Sequence, residues 1–416
     1  EQRVAVERLF RGEAGLDEFA PQLQACLDRE PILKAAACEA LGKLQFLDSI
    51  PTMIAVYASS DLEFQQIADQ ALINMGEEAV TVLLQELEQS RDLRSWLAII
   101  KAISARPLPA NASALLIDSC LDQLHQFAHD KRLPAQLQAS GLTALADLAE
   151  LRCQEIHALL LEAGWAVMGG LYDHYVITRI KAASQETDRD RKDTSLEILA
   201  EGLADRRLAR AMLDLLNRPN ERRPASKIVR SRESTQDYEN RQDDWLRAIA
   251  AAALSGCEGG NSVEEQEMLS LLDKVLLLKE HDLFSCLSVD ELGYVARVAR
   301  QEMYPENTVL LGEGQPNPRL YLIIKGKIEL SARTSGGVNA TLAVLGNGEA
   351  VGDSTLFDEA LSPVSAEVIL DEATLLTIDG HDIKRLCSLY PSLANGFIKA
   401  MSARVRRLEQ MLTRMA

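Results

Sequence analysis

The sequence predicts an α-helical solenoid followed by a small β-barrel or jelly roll with flanking helices. Three observations predict it. A short apolar pattern containing a central Ala returns along the first half of the chain. Aromatic residues make up only 5% of the sequence while Ala and Leu dominate that half, a composition suited to stacked helices. Beyond about residue 305, short β-like runs alternate with glycines. With 416 residues the chain exceeds one core. We expect helical repeats over 1–260, a hinge over 261–267, and a barrel-type domain with a C-terminal helix over 268–416.

The repeat reads ACEALGKL at 37–44, ADQALINM at 68–75, IIKAISAR at 99–106 and GLTALADL at 141–148. Aligning Ala40, Ala71, Ala102 and Ala144 gives spacings of 31, 31 and 42 residues. Each segment is expected to end one amphipathic helix. A second follows after a short break, as in IPTMIAVYA at 50–58 and AVTVLLQEL at 79–87. One such pair cannot bury its apolar face alone; stacking pairs makes a continuous core, and Ala lets the helices approach. The pattern resembles HEAT-type repeats by its alternation and small-residue placement. The ankyrin and tetratricopeptide signatures are absent. Regularity decays after about residue 165. Helical units at 194–203 and 208–216 precede a basic stretch, Arg218 to Arg241, and DDWLRAIAAAAL at 243–254 closes the array before Gly256, Gly259 and Gly260. The basic stretch reads either as a solvated inter-helix loop or as a contact for anionic lipid headgroups or an acidic partner.

Helical periodicity then covers 268–287 and 289–304. Strand-like runs follow: TVLL at 308–311, RLYLIIKGKIEL at 319–330, TLAVL at 341–345, AEVIL at 366–370 and TLLTI at 374–378. Glycine turns between short strands argue for a small barrel. A long helix is predicted from about Pro391 to Met415.

This last third resembles the cyclic-nucleotide-binding domain of the catabolite-activator and protein-kinase-A regulatory-subunit family. HDLFSCLSVDEL at 281–292 is similar to its entry helices, RLYLIIKGKIEL to the strand pair with a structural glycine (Gly326), and Gly346 to Val368 to its phosphate-binding cassette. MSARVRR at 401–407 is similar to its C-terminal helix. The resemblance implies a ligand site at Gly352, Asp353, Ser354, Thr355, Val364, Ser365 and Ala366. In the family, helix N–H groups meet a cyclic phosphate, an Arg neutralises it and a Glu accepts from the ribose hydroxyl. Here the Glu falls at Asp353, one methylene shorter, and the Arg at Val364. The nearby cation, Arg333, belongs to a different strand end. Losing a charge-assisted contact of roughly 1.5–3 kcal/mol weakens phosphate binding by about tenfold to more than a hundredfold. The pocket therefore reads as degenerate, with a barrel kept for partner contacts; a less anionic ligand and a genuine cyclic-nucleotide or other small-ligand sensor are the other readings. The terminal helix carries Phe397, Met401, Val405, Leu408, Leu412 and Met415 at steps of three or four. That stripe either pairs with a second copy, giving a homodimer, or folds back on its own barrel.

Function classes narrow further. A net charge of −18 disfavours nucleic acid as a partner. Seven scattered cysteines without a CxxC pair fit reduced thiols in a cytoplasmic setting. No apolar run is long enough to span a bilayer. His125 and His129 lie one helical turn apart but lack the Glu of a metal-protease motif, so no metal site is expected. GxSxG, P-loop and GxGxxG patterns are absent, so no catalytic residues and no cofactor are assigned and the chain reads as non-enzymatic. The chain stops at Ala416 where the family's transcription factors continue into a DNA-binding module, and it starts at Glu1 rather than Met. The combination resembles the cytosolic tail of bacterial ATP/ADP-translocase-like fusion transporters. That implies nucleotide transport, a membrane domain of the same polypeptide or a protein as partner, and a place at the cytoplasmic face of a membrane.

Overall fold

Small residues set the packing of the first helices. In the computed structural model, which describes residues 19–27, 31–57, 62–90, 92–106, 108, 110–185, 189–202, 205–216, 243–256, 269–333, 338–357 and 360–415, the chain divides into two units, Glu1–Cys257 and Glu258–Ala416. The basic stretch from 218 to 241 and the hinge over 261–267 lie outside the described residues.

The first unit contains α1 (Ala20–Gln24), α2 (Pro31–Leu44), α3 (Ile50–Tyr57), α4 (Leu62–Asn74), α5 (Ala79–Gln89) and α6 (Leu93–Ser104). It continues with α7 (Ala110–Asp130), α8 (Leu133–Ala139), α9 (Thr143–Leu171), α10 (His174–Ser184), α11 (Arg189–Gly202), α12 (Arg206–Leu216) and α13 (Asp244–Gly256). Alternate helices pack in a row: α2 on α4, α4 on α6, α6 on α9. Ala40, Ala71 and Ala102 are buried in that row. A Cβ on Gly42 would lie 2.6 Å from Cα of Ala71, so α2 and α4 meet backbone to backbone. Arg106 joins two helix ends, with Nη1 donating to Ala102 O (2.7 Å) and Nη2 to Leu72 O (2.8 Å) and Ile73 O (2.6 Å). Carbonyls in the last turn of a helix lack the full set of intrahelical partners, and the guanidinium supplies donors there. Ala144 departs from the expected register. It is exposed, and its segment opens the 29-residue α9 instead of closing a helix. Deeper in this unit, Arg152 on α9 donates to Asp243, just before α13, at 2.9 and 2.8 Å and to Glu155 at 2.8 Å.

The second unit opens with α14 (Leu271–Glu280) and α15 (Val289–Val298). Both start at capping boxes, Ser270 with Asp273 and Ser288 with Glu291. Helical periodicity predicted α15 through residue 304; instead it ends at Val298 and β1 (Arg300–Tyr304) begins. Pairing with β6 (Ser365–Asp379) decides this, because each residue from Arg300 to Tyr304 gains a sheet partner. The other strands are β2 (Val309–Leu311), β3 (Arg319–Arg333), β4 (Asn339–Leu345) and β5 (Ala350–Val351). The antiparallel order is β1-β6-β3-β4, with β2 on β6 and β5 on β3. AEVIL and TLLTI prove to be one strand, β6, kinked where Leu370 and Asp371 take positive φ. Tyr321, Ile323, Ile328, Val351, Val368 and Leu375 belong to the core packed on this sheet. Two helices complete the unit, α16 (Gly380–Leu389) and α17 (Pro391–Met415).

Candidate ligand-binding site

The cassette begins where β5 ends. Gly352 has φ +96°, and a Cβ there would lie 2.4 Å from Arg319 O, so only glycine fits. Buried Asn317 fixes the turn: its Nδ2 donates to Gly352 O (2.8 Å) and its Oδ1 accepts from Arg319 N–H (3.1 Å). One 3-10 turn follows, Asp353–Thr355. Ser354 is exposed, whereas Thr355 and Leu356 are buried. Asp353 is only 8% exposed.

The far end of the cassette is satisfied from within. Buried Ser362 donates its hydroxyl to Val364 O (2.7 Å). Its backbone exchanges hydrogen bonds with Gly314 N–H and Gln315 O, both 2.8 Å. Val364 is half-buried and brings no charge. Ser365 Oγ accepts from Glu313 N–H (3.0 Å), and Ala366 is fully buried at the start of β6. Arg333 is exposed, and its backbone N–H donates to the Glu313 carboxylate (2.8 Å).

A cation reaches the cassette from elsewhere. Arg404 on α17 contacts Asp353 through Nη2–Oδ2 at 2.9 Å and Nη1–Oδ1 at 3.2 Å. Both carboxylate oxygens thus face one guanidinium, the paired geometry that strengthens such bonds. The Arg404 side chain is 51% exposed, so water screens part of the gain.

Three features hold α17 in this register. Ser392 donates to Glu291 of α15. A Cβ on Gly396 would sit 2.2 Å from Leu283 O, so the helix lies directly on that backbone. Phe397 is buried, with ring centroids 6.3 Å from Phe284 and 5.0 Å from Phe357, both edge-on. Phe397 and Arg404 are two turns apart and share a face. Ile398 and Val405, also two turns apart, are exposed. Phe397 therefore belongs to the barrel side of the helix, not to an outward stripe. Met401 is half-buried, and the side chains of Leu408, Leu412 and Met415 lie outside the described residues. Near the cassette, burial lowers the His281 pKa, opposed by the charges of Asp282 and Asp353.

The sequence singled out Gly352, Asp353, Ser354, Thr355, Val364, Ser365 and Ala366 as candidates but not Arg404, Asn317 or Gly396. A cation on α17 in the heart of an apolar stripe was the available signal for Arg404. His125 and His129 are exposed on α7. No group of three metal-ligating side chains occurs among the described residues. No described helix is long and apolar enough to cross a membrane.

Residues 301–390 match the family described as the cyclic nucleotide-binding domain. Over 132 residues the chain is 29% identical to the cyclic AMP receptor protein of Thermus thermophilus, covering 32% of this chain and 61% of that protein. It is 26% identical over 109 residues to a CRP-like cAMP-activated global transcriptional regulator of Mycobacterium tuberculosis, covering 26% of this chain and 48% of the relative. Among solved structures, the Thermus thermophilus catabolite activator protein aligns at 28% identity and a TM-score of 0.30, covering 32% of this chain and 62% of that one. The chain thus spans about half to three-fifths of the length of these curated relatives. Its C-terminal unit carries a cyclic nucleotide-binding domain, preceded by a helix-rich region.

Proposed function

We propose that this chain is a non-enzymatic regulatory and interaction module whose barrel reports to α17 through Arg404 and Asp353, and whose pocket has moved away from ordinary cyclic nucleotides. The guanidinium of Arg404 on the Asp353 carboxylate is the observation that carries this reading. The acceptor that a ribose hydroxyl would use is already engaged. Val364 leaves the phosphate end without a cation of its own. A ligand that competes for either partner of the ion pair shifts α17, and the exposed face of that helix passes the change on. The Mycobacterium tuberculosis relative is a cAMP-activated global transcriptional regulator, which supports the class.

The occupant of that outer face is a second copy of this helix or the polypeptide's own partner segment. Ile398 and Val405 stand one heptad apart on it, the spacing of a two-helix seam. The helix-rich first unit, read as HEAT-like, supplies further docking surface. Its order before the barrel motivates the reading that the module serves a transporter. A multi-span segment in the same reading frame is the observation that checks it.

The intact cassette frame favours one other reading, a genuine cyclic-nucleotide or small-ligand sensor. Gly352 keeps its turn and Ala366 its buried place.

Hydrogen exchange on the whole chain tests the coupling. Asp353→Asn is expected to speed exchange in peptides covering 398–407 while leaving α16 protected. Unchanged exchange in α17 contradicts the proposed readout.

A further inference from the structure

Two segments of the second unit lie side by side in one register. A Cβ on Gly396 would meet Leu283 O at 2.2 Å, the Phe397 ring lies 6.3 Å from that of Phe284, and Lys399 Nζ donates to Cys286 Sγ at 3.3 Å. Each pair is separated by the same 113 residues, so the third contact continues the two packed ones before it. Ser392, one turn earlier on α17, adds its hydrogen bond to Glu291. Backbone packing therefore carries the amine to the thiol.

Both groups are open to solvent, since Cys286 and Lys399 are exposed. Among the described cysteines, Cys387 is half-buried and Cys26, Cys38, Cys120 and Cys153 are buried, so a dissolved oxidant meets Cys286 first. Lys399 makes no ion pair among the described residues, although the chain holds 62 acidic residues. Its polar partner is the sulfur.

That pairing has a chemical consequence. A thiolate attacked by peroxide becomes a sulfenic acid, and a sulfenic acid condenses with a neighbouring nitrogen to a sulfenamide. Groups held roughly 3–3.5 Å apart are at near-attack distance, where an intramolecular step outruns the same reaction with a dissolved reagent. At 3.3 Å, Lys399 reaches the oxidised sulfur before a second peroxide does.

We infer that Cys286 and Lys399 form a peroxide-driven covalent link, a sulfenamide that staples α17 to the segment before α15. First the Cys286 thiolate attacks hydrogen peroxide. The O–O bond breaks, the sulfur becomes a sulfenic acid, and the hydroxide that leaves takes a proton from the Lys399 ammonium to give water. The amine lone pair then attacks the sulfur. The S–N bond forms, the S–O bond breaks, and the hydroxyl departs with an amine proton as a second water. One peroxide is thus reduced to two waters while the sulfur loses two electrons. A dithiol reverses the link and returns thiol and amine. The link depends on this register alone; its use as a clamp rests on the role proposed for α17.

Tryptic mapping of the whole chain after hydrogen peroxide tests it. The chain carries Cys387→Ser, because Cys387 shares a tryptic peptide with Lys399 and a disulfide would imitate the link. Expected is a species joining 280–297 to 386–404, lighter than the two peptides together by two hydrogens. Dithiothreitol is expected to split it, and Cys286→Ser and Lys399→Arg to lack it. In Lys399→Arg, which keeps the charge but not the amine, Cys286 is expected as sulfinic acid. Sulfinic acid at Cys286 beside an unlinked Lys399, or the same joined peptides in Lys399→Arg, overturns the inference. Hydrogen exchange across 391–404 is expected to slow once the link forms, and unchanged exchange overturns the clamp. Cyclic-nucleotide binding by the barrel would overturn the function proposed above and leave the link standing.

Discussion

Arg404 and Asp353, 51 residues apart, meet at 2.9 Å and tie the last helix to the cassette. A double-mutant cycle with Arg404→Met and Asp353→Asn measures that tie. Exposed ion pairs are worth about 0.2–1 kcal/mol, and breaking buried ones costs about 3–5 kcal/mol. With one partner half-exposed, a coupling of about 1 kcal/mol is expected, falling as salt is raised. Hydrogen exchange on peptides from 269–415 reads it out, because Trp96, Trp165 and Trp245 all lie in the first unit and fluorescence is blind to the second. Additive single effects would show that the two side chains are not coupled.

The close contact of α17 with Leu283 makes Gly396 intolerant of substitution. Gly396→Val places a Cβ inside the van der Waals envelope of Leu283 O, where an ideal Cβ would be 2.2 Å away. The helix must lift, separating Phe397 from Phe284 and Phe357. A loss of about 2–4 kcal/mol in the stability of the second unit is expected. A variant with native exchange rates in α17 would mean that this register is not occupied.

Acid weakens the same unit before its carboxylates titrate. Burial lowers the folded-state pKa of His281 from 6.5, with Asp282 and Asp353 opposing it. Above 6.5 the ring is neutral in both states and the full stability is present. Below that value the unfolded chain takes the proton first, so stability falls until the pH drops under the folded value. His281→Gln is expected to flatten the slope, measured by exchange-derived opening free energies between about pH 7.5 and 5. An unchanged slope would place its cause elsewhere.

Much of this fold was legible in local pattern. The turn at Gly352 was legible as a glycine position, and Ala40, Ala71 and Ala102 fell on buried helix faces because periodicity reports burial directly. What escaped depended on partners distant in sequence. Residues 300–304 continue the helical period of α15, and only pairing with β6 makes them a strand. Ala144 fits the repeat in sequence yet begins a helix, since the longer spacing before it holds α7 and α8. Arg404 was hidden for the same reason. Its contact follows from the register of α17 against Leu283, which no local pattern encodes.

Thiol chemistry separates the cysteines by burial. Desolvation pushes Cys38 and Cys120 up to about 12 and Cys387 up to about 11, so all three are thiols at neutral pH. Cys286 is exposed, with Lys399 Nζ 3.3 Å from its sulfur. Among the described cysteines, Cys286 is expected to alkylate first, and Cys38 and Cys120 only on unfolding, as mapped by mass spectrometry after iodoacetamide. Early labelling of Cys38 would contradict the packing of α2.

Calorimetric titration of the whole chain with cyclic AMP and cyclic GMP bears most directly on the central claim. The native chain is expected to give no saturable heat at micromolar ligand, and Val364→Arg to gain about tenfold to a hundredfold in affinity by supplying the missing phosphate contact. Micromolar binding by the native chain that vanishes in Asp353→Ala would contradict it, and would make the barrel a working cyclic-nucleotide sensor.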